Sequence, residues 1–360
     1  MPIRTLEKPP LPGLTSLRFF AAAYTLLYHT RGNLIWFRAG YTGVTLFFVL
    51  SGFVLTYNYP TLQPGERRYF YIARFARIYP LYFVAFFLML PWYVRGLPNM
   101  GVAFYFKSSA LYLLLLQTWF PALRNAISAG AWTMPVEAFF YLVFPFVILW
   151  FGKMQRHWIA TLAVLWGAML LLAFFLDLYL IPHHPARETL IHQIFSLPLF
   201  HLEEFLIGVV LGLRYLHHRP VFRGWHVLAA TAFCVAVLAA DGPGTFSVNE
   251  ILMNGSMALP FGLLIYAVAG FQSRVLAHPL LQLGGEISYS MYLLQWVLVE
   301  LVQTILQHTR AYVPLRFGLF LFFCFLSYQF IEKPGRRLIL RLFNIRSHPK
   351  PIETPSPALP

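Results

Sequence analysis

Charge is what this sequence has least of. Only 11% of its 360 residues are charged, and 13 are acidic; a soluble domain carries about 25%. Water does not solvate a surface built from so little charge, which excludes an ordinary soluble enzyme or binding domain. Cysteine is almost missing too. Cys234 and Cys324 both fall inside apolar runs, where they read as packing residues and say little about redox compartment. No metal signature is present: the His pairs at 183–184 and 217–218 are adjacent, unlike ligands spaced along one helix face. There is no glycine-rich phosphate loop, no serine elbow and no internal repeat.

What is present is apolar length. Hydrophobic residues make up 59% of the chain and aromatics 18%. Eleven apolar stretches occur, near 14–30, 41–58, 78–94, 104–119, 135–151, 158–181, 200–215, 225–240, 255–270, 286–306 and 312–331. Runs of this length suit a hydrocarbon core of roughly 30 Å. With no alternating pattern they mean helices, since a backbone in lipid must pair its own polar groups. The expected fold is an all-α polytopic membrane bundle. Residues 1–345 read as one transmembrane domain, and 346–360 as a disordered Pro-rich tail.

The net charge of +14 raises nucleic acid as a partner, but the basic residues sit in short loops and tails, not on one folded face. They report topology instead. With a cytoplasmic N-terminus and stretch 104–119 not crossing, 18 of the 27 Lys and Arg lie inside and eight outside, with Arg18 in the membrane. If 104–119 crosses, the counts become 10 and 16, against the positive-inside rule. About ten crossings are therefore expected, with both ends cytoplasmic, and 104–119 as a re-entrant or interfacial helix on the outer side.

Ionisable residues at membrane depth mark functional sites by default. Arg18 and His29 lie eleven residues apart on one helix, so they share a face about 16 Å apart along the axis. The spacing fits equally a snorkelling interfacial Arg and a His at the outer rim. Glu137, behind Trp132 and Pro135, needs a partner; His29 is one candidate and an Arg another. Glu203 and Glu204 adjoin His201; neighbouring helix positions face different ways, so the cluster fits equally one Glu lining a cavity while the other pairs locally, or a purely structural role. The run ERRYFYIARFARIYP carries four Arg that suit either a phosphorylated ligand or lipid phosphates. Buried Arg, His and Glu among ten helices also describe a secondary transporter or a lipid-linked sugar flippase.

Together the segments LTSLRFFAAAYTLLYHT, GVTLFFVLSGFVLTY, RRYFYIARFARIYPLY, AWTMPVEAFFYLVFP, LGGEISYSMYLLQ and FIEKPGRR resemble, in order and character, the acyltransferase 3 family from about Leu14 to Arg337. These are membrane O-acyltransferases of polysaccharides and related acceptors. The family's basic-X10-His motif falls on Arg18 and His29, its Arg-X-X-Arg on Arg74 and Arg77, its Trp-and-Glu segment on Trp132 and Glu137, and its Glu-X-Pro on Glu332 and Pro334. One departure stands out: many relatives carry His where this chain has Gln295. The chain is similar to the members that lack an added esterase-like domain.

The resemblance implies an acyl-CoA donor, most simply acetyl-CoA, held through its phosphates by Arg74 and Arg77, with Arg18 along its path. His29 would be the base or a transient acyl carrier, and Glu137 its carboxylate partner. Trp132, Glu203 and Glu204 are candidates for contacting the acceptor, a carbohydrate or lipid-linked glycan on the outer face of a bacterial inner membrane. No metal is expected, and partners beyond bilayer and acceptor would be a second copy or glycan-assembly machinery.

Overall fold

The computed structural model describes residues 9–31, 34–95, 101–120, 123, 127, 130–153, 157–180, 194, 196–240, 249–305 and 313–345. The Pro-rich tail and the 183–184 His pair lie outside them. Fourteen α-helices occur in this set: α1 (Pro12–Arg31), α2 (Gly43–Asn58), α3 (Arg67–Arg95), α4 (Val102–Leu113), α5 (Thr133–Lys153), α6 (Trp158–Phe175), α7 (Leu202–His218), α8 (Gly224–Ala240), α9 (Asn249–Ala269), α10 (Pro279–Glu286), α11 (Ser288–Leu293), α12 (Gln295–Ile305), α13 (Val313–Ser327) and α14 (Lys333–Leu342). No strand occurs among the described residues. The fold is an all-α membrane bundle.

Five described helical segments are long and apolar enough to cross a bilayer: Phe37–Asn58, Pro64–Pro91, Thr133–Lys153, Trp158–Phe175 and Leu315–Leu342. Shorter apolar helices join them at Gly224–Ala239 and Gly255–Ala269. Large apolar side chains cover the outside: Phe146, Val164 and Leu171 are all more than 60% exposed. That is the surface lipid requires and water penalises.

The core is knit where small residues let backbones meet. A Cβ on Gly52 of α2 would strike the Phe205 carbonyl of α7, and one on Gly208 would strike the Val49 carbonyl of α2. Gly212, four residues on, would press on Thr56. Gly208 and Gly212 thus form a GxxxG face, the pattern that permits close helix crossing in lipid. Gly284 and Gly285 likewise seat α10 against Thr15 and Phe19 of α1.

The structure redraws two parts of the sequence reading. The basic stretch after Glu66 is helical from Arg67, so Arg74 and Arg77 stand on α3 and not in a loop. The hydropathy pattern hid this because the apolar run begins only at Ile78. The apolar run 286–306 is interrupted at Ile287 and Leu294, which separates α10, α11 and α12. Helix α4, in the stretch expected not to cross, has twelve residues, about 18 Å, shorter than a hydrocarbon core of roughly 30 Å.

The path of α4 explains where α5 starts. Tyr93 of α3 donates to the Tyr105 carbonyl, and Tyr79 and Tyr82 donate to the carbonyls of Leu113 and Tyr112 at 3.2 and 2.8 Å. So α4 runs antiparallel to α3 and stops half-way down it. Gln117 then reaches both the Tyr82 hydroxyl (2.9 Å) and the Ala131 carbonyl (3.4 Å). Helix α5 therefore begins at mid-depth, and proceeds toward the end of the bundle holding Arg67, below Phe146. That end, rich in Arg and Lys, is the basic end; the end holding His29 and Tyr93 is the distal end.

Candidate active site

The mid-depth start of α5 leaves a cavity on its inner side. Arg18 of α1, Ser51 of α2, Arg77 of α3, Glu137 of α5 and Tyr289 and Tyr292 of α11 line it. The space open to the centres of water-sized spheres is about 60 Å³; one water needs roughly 10–15 Å³. The cavity therefore admits a few waters or a short acyl chain.

Each polar wall residue is placed by its helix. Glu137 sits one turn into α5. Tyr141, four residues on, donates to Glu137 Oε1, and the Ser51 hydroxyl donates to the same oxygen at 3.4 Å. A hydrogen bond to a carboxylate contributes about 1.5–3 kcal/mol, so this pair fixes the carboxylate at the wall. Arg18 lies half-buried within the field of Glu137 and Tyr141, and of Arg77 and Arg74. Arg74 donates to the Tyr59 hydroxyl at 3.2 Å and lies 5.4 Å over that ring, while its Nε has no hydrogen-bond partner. Arg336 of α14 joins the same field. Gly335 permits this, since a Cβ there would press on Pro80 at 2.5 Å. Arg18 and Arg77 share the cavity wall with Glu137, and the field of Arg77 also reaches Glu332. The excess positive charge, with an unused Nε, fits a phosphorylated ligand.

Glu332 lies in a π-helical turn, Tyr328–Glu332, between α13 and α14. Ser290 of α11 donates to its carboxylate, and the Ser290 oxygen lies 3.2 Å from the Ser327 hydroxyl, from which it can accept. Pro334 then opens α14 in the first turn, where a missing N–H costs nothing. The Glu-X-Pro segment thereby ties α11, a cavity wall, to the basic end.

His29 stands apart. Its exposed ring packs on Tyr28 at 4.8 Å and on Trp296 of α12 at 4.9 Å. The expected His29–Glu137 contact is not formed. The reason is the start of α5 at mid-depth: Glu137 lies a turn nearer the basic end than Thr133, whereas His29 is near the distal end of α1. The two are linked along α11 and α12 instead. Tyr292 walls the cavity, and Trp296, one turn later, meets His29.

Of the remaining candidates, Glu204 accepts from the Thr45 hydroxyl at 3.1 Å and pairs with His201 Nδ1 at 3.1 Å. Glu203 is buried, with neither oxygen hydrogen-bonded. Trp132 packs on His201 at 5.3 Å and edge-on to Phe48, a cavity residue, at 6.3 Å. Neither Glu nor Trp132 is in the wall described above. Sequence reasoning missed Ser51, Tyr141, Tyr289 and Trp296. Tyr141 was open to discovery as the i+4 neighbour of Glu137; the others come from distant helices.

Residues 11–330 match the acyltransferase 3 family, described as an acyltransferase domain. The "Putative peptidoglycan O-acetyltransferase YrhL" of Bacillus subtilis (strain 168) is 27% identical, over 93% of this chain and 56% of the relative. An O-acetyltransferase of Staphylococcus aureus (strain MRSA252), also named as putative, is 24% identical over 94% and 59%. Acyltransferase MdmB of Streptomyces mycarofaciens is 26% identical over 83% and 81%. The chain thus spans a little over half the length of the first two. No solved structure matches. With the family match running over residues 11–330, from the Arg18 helix through the cavity walls, the chain belongs to the acyltransferase 3 family.

Proposed function

We propose that this protein is a membrane O-acyltransferase that moves an acyl group, acetyl in the simplest case, from cytoplasmic acyl-CoA to a hydroxyl of a cell-envelope glycan on the other side. The observation that carries the reading is the pair Arg18 and Arg77 in the wall of a small cavity, with Arg74 and Arg336 within their electrostatic reach. The names of the relatives support O-acetylation and, for one, peptidoglycan as acceptor. The positive-inside count supports a cytoplasmic basic end in a bacterial inner membrane.

In this mechanism Arg74, Arg77 and Arg336 hold the donor's phosphates. The thioester arm extends past Arg18 and along α11 toward His29. Glu137, fixed by Tyr141 and Ser51, balances Arg18 and Arg77 and keeps both turned into the cavity. His29 takes the proton of the acceptor hydroxyl. The acceptor oxygen bonds to the acyl carbon, the C–S bond breaks, and the imidazolium returns the proton to the thiolate. The products are an ester and free coenzyme A. A two-step variant, with the acyl group resting on His29, uses the same geometry.

The test is transfer of radiolabelled acetyl from acetyl-CoA in membranes containing the parent chain or His29→Ala. Label should enter the glycan fraction with the parent only. Full transfer by His29→Ala at equal expression would sink the mechanism. Absence of transfer by the parent from acetyl-, succinyl- and longer acyl-CoA would sink the function.

A further inference from the structure

The side chain of Gln295 is 1% exposed, and neither its Nε2 nor its Oε1 has a hydrogen-bond partner. Buried amides are almost always paired, so two orphan atoms on one side chain call for an explanation. Their location supplies one. Gln295 opens α12 at the interruption after Leu294, one turn beyond Tyr292 of the cavity wall. A Cβ on Gly130 would lie 3.3 Å from Gln295 Nε2 and 3.3 Å from Trp296 Nε1. Both groups thus meet one small residue just before α5, with no side chain between them. The Trp296 ring is 37% exposed and packs on His29 at 4.9 Å.

A neutral amide offering two donors and an acceptor, beside a half-exposed indole, matches the chemistry of a sugar. The hydroxyls of a pyranose take hydrogen bonds of both senses, and its C–H face packs on an aromatic ring. We propose that Gln295 and Trp296 form the acceptor subsite, with Gln295 hydrogen-bonding one group of the sugar and Trp296 carrying its ring, so that a neighbouring hydroxyl reaches His29. Gly130, with no side chain, lets both groups approach the chain just before α5. This rests on the acyltransferase reading above and adds which residues select the acceptor. The amide cannot take or supply a proton at neutral pH, so Gln295 is a binding and positioning group, and the proton is left to His29.

The experiment uses full-length protein in membranes, with chitotetraose and a soluble muropeptide as acceptor probes and acetyl-CoA as donor. Kinetics are compared for the parent, Gln295→Ala, Gln295→Asn and Trp296→Ala. The expected result is a tenfold or larger rise in acceptor KM for Gln295→Ala and Trp296→Ala, with donor KM unchanged. Gln295→Asn keeps the amide but withdraws it by one methylene, and should fall between parent and Ala; it also serves if Gln295→Ala does not fold. Unchanged acceptor KM in the folded variants, with the parent active, overturns the subsite and leaves the acyltransferase reading standing. So does a loss that appears equally in donor KM, because that is general damage. A parent that transfers to neither probe nor to endogenous glycan overturns the reading itself, and the subsite with it.

Discussion

At the scale of single residues, the cavity depends on one carboxylate being held against several guanidiniums. Glu137 cannot swing toward Arg18 or away from it while Tyr141 and Ser51 both donate to the same oxygen. Tyr141→Phe removes the closer donor and leaves the helix intact. Activity should fall about tenfold or more, in line with about 1.5–3 kcal/mol for a hydrogen bond to a charged group, with a smaller loss for Ser51→Ala. Acetyl transfer at saturating donor and acceptor checks both; equal activity in parent and Tyr141→Phe would remove Tyr141 from the site. On the donor side, Arg74→Ala should raise donor KM about tenfold while leaving acceptor KM alone, measured by titrating acetyl-CoA. The charged members of this site were legible in the sequence because a charge in an apolar run is conspicuous. Gln295 was legible only as a departure from a family pattern. An amide carries no charge to flag it, and what makes it unusual is the lack of partners, which is a property of distant helices.

At the scale of elements, most apolar stretches read from the sequence coincide with helices, because length and composition decide what a bilayer accepts. The discrepancies have local causes. Helix α3 extends back through Arg67 because its basic residues alternate with Phe70, Ala73 and Ala76, all buried, so a helix face continues where hydropathy stops. The pieces α10, α11 and α12 are separate because the chain turns at Ile287 and Leu294 to press Gly284 and Gly285 on α1 and to deliver Trp296 to His29. The crossing of α2 and α7 makes a direct prediction. Gly52→Val and Gly208→Val would drive a side chain into the opposing backbone, a clash costing about 1–3 kcal/mol or more. Gly152→Val, with nothing within 4 Å, is the matched control. Thermal unfolding in detergent should show both crossing variants strongly destabilised and the control near the parent; parent-like stability at Gly208→Val would mean the helices cross elsewhere.

At the scale of the whole molecule, the arrangement is directional. Arg18 and Arg77 line a cavity toward the basic end, and an imidazole with an aromatic neighbour stands outside it toward the distal end, about 16 Å along α1. That separation makes sense for an enzyme that accepts its donor on one side of a bilayer and its acceptor on the other. It makes no sense if both ends face the same compartment. Sidedness is therefore the property on which the proposal turns, and the positive-inside rule supplies only a statistical answer. Cys234 and Cys324 are buried and unbonded, so single cysteines can be placed elsewhere with little background. Gly65, at an exposed turn with open space around it, lies before α3 at the basic end. Val102, 62% exposed, lies at the distal end where α4 begins. In intact cells, a membrane-impermeant maleimide should label Val102→Cys and not Gly65→Cys, and permeabilisation should expose the second. Labelling of Gly65→Cys in intact cells would place the guanidinium cluster outside, away from cytoplasmic acyl-CoA, and would reverse the direction of transfer that the charge distribution implies.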